Sequence, residues 1–134
     1  MPQTVNHGYK AMMEAAEAEV EQVTAEQAAE MAKRPEVVVV DIREIRELER
    51  EGRIPGSFHA RRGMLEFWVD PESPYHKPIF AEDKNFIIHC ASGWRSLLAT
   101  QTLKRMGLKP VLNMTGGFAA WKAGGGAVER IGQK

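Results

Sequence analysis

The sequence predicts an α/β fold: a parallel sheet of about five strands with helices on both faces. Three observations lead there. Val37-Val38-Val39-Val40 is a run of four β-branched residues with no polar alternation, the pattern of a strand buried on both faces. Phe86-Ile87-Ile88-His89 is a second apolar run, followed at once by Cys90-Ala91-Ser92-Gly93 and a stretch of helix formers. Segments of helical periodicity lie between and around these runs, and strands alternating with helices imply a parallel sheet.

The chain opens on an amphipathic helix, with Tyr9, Met12, Met13, Ala16 and Val20 at helical spacing and acids between them. Thr24 starts a second helix, and Gln27 stands where it completes a capping box. That helix ends near Arg34-Pro35, because proline disfavours helical geometry in the residue before it. After Val37–Val40 come Asp41-Ile42-Arg43-Glu44 and a short helix with Ile45 and Leu48 turned inward, closed by Gly52. Ile54-Pro55-Gly56 makes a turn, and residues 57–60 a short strand. Residues 61–84 break the alternation, with Met64, Leu65, Phe67 and Trp68 ahead of three prolines. A connection this long is either a lid or binding loop, or a short helix over one sheet edge. The helix after Cys90 carries Leu97, Leu98, Leu103 and Met106 as its apolar stripe, with Lys104 and Arg105 in its last turn and Gly107 ending it. Pro110–Asn113 forms a further strand, and Thr115-Gly116-Gly117 turns into a last helix bearing Phe118 and Trp121, the latter in the core.

The 134 residues suit a globular core region at 24–130 preceded by a helical extension at 1–23. Lys and Arg total 18, and Asp and Glu total 18, so bulk charge gives no argument for nucleic acid or an anionic membrane. Glu14, Glu17, Glu19 and Glu21 interrupt any signal-peptide core or membrane span near the start. A single cysteine makes no internal disulfide, and no Cys/His cluster suggests a metal or other cofactor. The expected location is the cytoplasm.

A lone cysteine is by default a small buried hydrophobe, but the surroundings of Cys90 argue otherwise. It falls where a strand ends and a helix begins, the place where ligands bind in open parallel sheets. Asp41 falls at a second such strand end. N–H groups of Ala91, Ser92, Gly93, Trp94, Arg95 and Ser96, with the helix N-terminus behind them, would face the sulfur and favour its thiolate. Gly93 gives the freedom for a tight curl.

Four blocks then carry a resemblance. Val40-Asp41-Ile42-Arg43-Glu44, Gly52-Arg53-Ile54-Pro55-Gly56-Ser57, the loop Cys90 to Ser96, and Gly116-Gly117-Phe118-Ala119-Ala120-Trp121 resemble, in order, the blocks of the rhodanese family in its single-domain form. The resemblance implies a rhodanese-like fold and a sulfurtransferase. Cys90 would take a sulfane sulfur from a small donor, thiosulfate or a persulfide, and pass it to cyanide or a thiol acceptor. Ala91, Ser92, Gly93, Trp94, Arg95 and Ser96 would bind substrate or persulfide, supported by Asp41, Arg43 and Glu44. Arg53 stands where the family usually has His.

Within that frame Arg95 either holds the anionic donor or turns back to Asp41 or Glu44. Trp94 is a pocket wall, and Ser92 either bonds a donor oxygen or is merely small. Ser96 caps the following helix. Asp41 holds loops rather than acting as a base. Arg43 and Arg46 either lend positive potential or pair with Glu47 or Glu49. His89 points away from Cys90, because successive strand side chains face opposite sides; His59 and His76 are turn or rim residues. A phosphatase of the Cys-x5-Arg type is disfavoured, since only four residues separate Cys90 from Arg95. The other rival is a non-catalytic or redox-sensing interaction module of the same fold. The Tyr9/Met12/Met13/Ala16 stripe packs either on the domain or on a second copy, as a homodimer.

Overall fold

A computed structural model describes residues 2–132 and contains a five-stranded, wholly parallel sheet in the order β1-β5-β4-β2-β3. The strands are β1 (Glu21–Val23), β2 (Val37–Asp41), β3 (Phe58–His59), β4 (Asn85–His89) and β5 (Val111–Met114). Their helices are α1 (Tyr9–Glu19), α2 (Ala25–Met31), α3 (Ile45–Glu51), α4 (Leu65–Val69), α5 (Trp94–Met106) and α6 (Gly117–Ala123). The two uninterrupted apolar runs, β2 and β4, lie side by side with Val40 opposite Ile88, as two-sided burial requires.

The period of two divides their side chains between two cores. Val40, Ile42, Phe86, Ile88 and Cys90 pack with Leu65, Ala99 and Leu103 on the α4/α5 face. Val39, Ile87, Leu112 and Met114 pack with Ala28, Phe118 and Trp121 on the α2/α6 face. Outside α5 lies α1, held by Ala16, Val20 and Leu97 and by a two-pronged ion pair of Arg105 with Glu19. The capping box of α2 forms as expected, Thr24 Oγ1 accepting from Gln27 N and Gln27 Oε1 from Thr24 N.

Several expectations need correction. Residues Glu21–Val23 extend the sheet as β1 rather than continuing into helix. Ile45 and Met106 face solvent, as do Tyr9 and Met12; only Ala16 among the α1 residues is fully buried. Residues 61–84 resolve the open alternative toward packing. A 3-10 turn at Arg62–Met64, α4 and a second 3-10 turn at Pro78–Ala81 lay Leu65, Val69 and Phe80 against the sheet. Phe80 stacks on Phe86 at 5.6 Å, and Phe58 meets both Phe80 and Trp68 edge-on. Trp121 is core, its Nε1 donating to Ala127 O at 2.8 Å. Among the described residues no helix is long and apolar enough to cross a membrane.

Candidate active site

Cys90 follows β4 directly and is 0 % exposed. Its sulfur takes the part of a helix cap. The N-cap of α5 is Gly93, in the left-handed region at φ 101° with no side chain to offer, so the first amides of α5 lack an ordinary partner. Cys90 Sγ supplies it, accepting from Gly93 N at 3.2 Å and from Ser96 N at 3.4 Å. Ser96 Oγ stands 3.5 Å from the sulfur, accepting from the thiol; in the thiolate form the hydroxyl turns and donates. Burial opposes ionisation of Cys90, but the Ser96 hydroxyl and the Ser96, Gly93 and Ser92 amides outweigh it and hold the thiol below its ordinary value.

Two expectations change here. Ser96 is not the cap of α5; it is the third residue of the first turn, and both its N–H and its hydroxyl serve the sulfur. The amide cradle is also narrower than Ala91 to Ser96. The hydrogen bonds to Sγ come from the Gly93 and Ser96 amides, the Ser92 amide also favouring the thiolate, while the carbonyls of Cys90 and Ala91 accept from Phe118 N at 2.8 Å and Ala119 N at 3.0 Å. That second set of bonds pins the loop from behind and brings α6 against it. A Cβ at Gly117, whose φ is +56°, would lie 2.5 Å from Cys90 O and 2.7 Å from Ala91 C. Glycine is required there by close approach as much as by dihedral angle.

Arg95 turns to a partner the sequence reading did not give it. Its Nη1 and Nη2 each donate to a Glu47 carboxylate oxygen at 2.9 Å, a two-pronged geometry. Neither Asp41 nor Glu44 is involved. Arg95 holds the Glu47 carboxyl down to about 2 against the opposing effect of partial burial. Glu47 also accepts from Glu44 N at 2.9 Å, closing the cap of α3. The signal for Glu47 is its spacing: three residues after the cap position, on the helix that leaves the strand end beside Cys90.

Asp41, Arg43 and His89 form a separate cluster on the α2/α6 face. Arg43 donates through Nε and Nη2 to Asp41, the shortest contact being 2.7 Å, and through Nη2 to Gly52 O at 2.9 Å. Its guanidinium lies 4.2 Å over the Phe118 ring. Arg43 is therefore buried with Asp41 rather than lending potential at the surface or pairing with Glu47 or Glu49. His89 stacks on Phe118 at 6.3 Å with Nε2 3.6 Å from Asp41 Oδ2. Burial lowers the His89 value, so its ring is neutral. Burial raises and Arg43 lowers the Asp41 carboxyl, and the lowering prevails. His89 thus points away from the sulfur, as strand alternation demands. His59 anchors the same corner, its Nε2 2.7 Å from Arg43 O, and Arg53 pairs with Glu129 at 2.7 Å.

Trp94, at the crest of the loop, stacks on Tyr9 of α1 with ring centroids 5.4 Å apart. Beside the loop is a cleft of about 150 Å³ bordered by Ser92, Gly93 and Trp94. A larger cavity of about 540 Å³ lies between α2 and α6, lined by alanines, glycines and Trp121 with Glu26 as its one titratable group. Among the described residues its lining offers no cysteine, histidine, lysine or arginine.

Comparison with known proteins agrees with this geometry. Residues 24–124 match the Rhodanese-like domain family. YtwF of Bacillus subtilis, named as a sulfurtransferase, is 33% identical over 87 residues, covering 65% of this chain and 75% of its own. The thiosulfate sulfurtransferase GlpE of Coxiella burnetii is 28% identical over 102 residues, covering 76% of this chain and 87% of its own. A solved structure from Rhodopseudomonas palustris superposes with a TM-score of 0.93 at 54% identity, over 96% of this chain and 99% of that one. It is described as a protein of unknown function and possible tyrosine phosphatase.

Proposed function

Because the chain belongs to the rhodanese-like family, we propose that it moves a sulfane sulfur from a small donor to a thiophilic acceptor through a persulfide on Cys90. One observation carries the reading: Cys90 Sγ sits at the start of α5 and receives two backbone amides and a hydroxyl, a set that stabilises sulfur-borne negative charge without a base. The thiolate attacks the outer sulfur of the donor, the donor's S–S bond breaks, and the leaving anion departs. An acceptor nucleophile then attacks the outer sulfur of the persulfide and returns Cys90 to the thiolate. The same amides face the charge in both states. Since Cys90 is fully enclosed, a donor reaches it when the loop opens locally, a motion of the ns–μs class.

The description of the Rhodopseudomonas protein raises a phosphatase as the second reading. Two features weigh against it here. Only four residues separate Cys90 from Arg95, which leaves a small cradle, and the Arg95 guanidinium, though close enough to favour the Cys90 thiolate, has two of its nitrogens committed to Glu47. A redox-sensing or purely interacting module remains the alternative without turnover.

Intact-mass measurement after incubation with thiosulfate, and separately with organic persulfides, tests the proposal. A one-sulfur adduct that cyanide removes and that Cys90→Ala lacks is the expected result. No adduct from any sulfane donor would refute it, and release of phosphate from an aryl phosphate would favour the phosphatase.

A further inference from the structure

The cleft beside the loop has a polarity of its own. Its floor is Asn113 on β5, which faces α5 with Val111 and is 1 % exposed. Asn113 Nδ2 donates to Gln22 Oε1 at 2.9 Å, while its Oδ1 has no hydrogen-bond partner among the described residues. A buried acceptor without a donor is rare and costly. Thr115 adds a second acceptor, because its hydroxyl proton is committed to Val23 O at 3.1 Å. The rim carries the Glu17 carboxylate from α1, and the Trp94 indole forms a wall. Among the described residues no Lys, Arg or His lines the cleft, and the nearby Arg95 is neutralised by Glu47. An orphan acceptor, a carboxylate and an aromatic wall together attract a cationic N–H donor and repel an anion.

We propose that this cleft binds a primary ammonium group and that the natural sulfur acceptor is a small aminothiol. The second half rests on the sulfurtransferase reading above. The cleft's volume suits a molecule of aminothiol size, and Ser92, Gly93 and Trp94 are at once its edge and the start of the loop that carries the sulfur. The acceptor's ammonium seats between Glu17 and Asn113 Oδ1. Its thiol, after losing its proton to solvent, attacks the outer sulfur of the Cys90 persulfide. The Cys90 S–S bond breaks, the electron pair returns to Sγ as the thiolate, and the product is the aminothiol persulfide. No oxidant or reductant is needed.

Two measurements separate the site from the sulfur chemistry. First, Cys90→Ala protein is titrated with propylammonium, which carries no sulfur, and followed by amide NMR. Shifts centred on the Asn113 side-chain amide and on residues 92–94 are expected, weakened about fivefold by the surface change Glu17→Gln. No shift at these groups, or shifts produced instead by propionate, would overturn the ammonium site. Second, the persulfidated wild-type protein is turned over with cysteamine and with 2-mercaptoethanol, which is neutral and of the same length. Glu17→Gln should raise KM for cysteamine about fivefold and leave that for 2-mercaptoethanol unchanged. An equal change for both would overturn the acceptor assignment. Ammonium binding without any persulfide on Cys90 would sink the sulfurtransferase reading and the acceptor role together, with the ammonium site standing.

Discussion

Gly117→Ala should be the most damaging small substitution near the site, and its cost divides into parts that a control separates. Alanine at φ +56° costs about 1 kcal/mol from the left-handed backbone alone. The new Cβ also lies 2.5 Å from Cys90 O and 2.7 Å from Ala91 C, both backbone atoms that cannot swing away. Overpacking of this kind adds about 1–3 kcal/mol. Pushing α6 back to relieve it stretches the bonds from Phe118 N and Ala119 N to the loop carbonyls, worth about 1 kcal/mol each. Gly56→Ala is the control, because Gly56 has a similar φ of +78° and nothing within 4 Å of the added Cβ. Urea unfolding should show Gly56→Ala losing about 1 kcal/mol and Gly117→Ala about 3–4 kcal/mol at unchanged m. The thiol gives a second readout. With the loop no longer pinned from behind, the amides of Gly93 and Ser96 drift from Sγ, and alkylation of Cys90 should need a higher pH. Equal losses for the two variants, or Gly117→Ala with a wild-type alkylation profile, would refute the claim that α6 holds the cradle in shape.

Three further outcomes follow from the same geometry. Ser96→Ala removes the hydroxyl 3.5 Å from Sγ, a long contact worth about 1 kcal/mol to the thiolate; alkylation below the thiol's midpoint should slow about fivefold, with little change in unfolding. Glu47→Gln frees the Arg95 charge beside the loop, so KM for thiosulfate should fall about fivefold for about 1 kcal/mol of added attraction, whereas a rise would mean that Glu47 positions Arg95 for the donor. Glu47 also contributes to acid stability. Its folded value of about 2 is below the ordinary value of 4.5, so its contribution is present above about 4.5 and fades as pH falls toward 2. Arg95 is 42 % exposed, and screening reduces that contribution to about 1 kcal/mol, which the pH dependence of urea midpoints for wild type and Glu47→Gln should show.

The parts of this arrangement that are legible in sequence are those written locally. Val37–Val40 and Phe86–His89 announce buried parallel strands because no polar residue interrupts them. Thr24 with Gln27, and Gly107 after Arg105, announce helix ends because caps are chosen by neighbours within one turn. Strand β1 is illegible for the opposite reason. Glu21-Gln22-Val23 is short, mostly exposed and paired only with β5, so its residues show no strand pattern of their own and merge with the helical spacing that ends at Val20. The Arg95–Glu47 pair and the clash that reserves Gly117 for glycine are likewise products of distance. Each joins segments far apart in the chain, and nothing at either end announces the other. Ser96 is illegible by a related route: a serine near a helix start suggests a cap, but Gly93 holds the cap position and the sulfur takes its bonding role.

Strand alternation has a consequence for the pH dependence of turnover. Cys90 and His89 are adjacent in sequence, yet the period of two sends the sulfur to the α4/α5 face and the imidazole to the α2/α6 face. There His89 is enclosed with Asp41 and Phe118 and kept neutral by burial. Asp41 is bound to Arg43 and held ionised. Arg95, which acts on the sulfur from its own side of the sheet, stays charged. None of these three side chains is therefore placed to give or take a proton at the sulfur, and none is needed if the nucleophile is already a thiolate. With thiosulfate as donor, kcat/KM should rise through a single ionisation, that of Cys90 below its ordinary value, and then stay level through alkaline pH. Stopped-flow rates of persulfide formation across the pH range would measure this curve. A second, descending limb would reveal an essential acid. It would mean that proton transfer takes part in the step and that the two faces of the sheet do not divide the labour as argued. His89→Gln should accordingly change stability while leaving the shape of the pH curve intact.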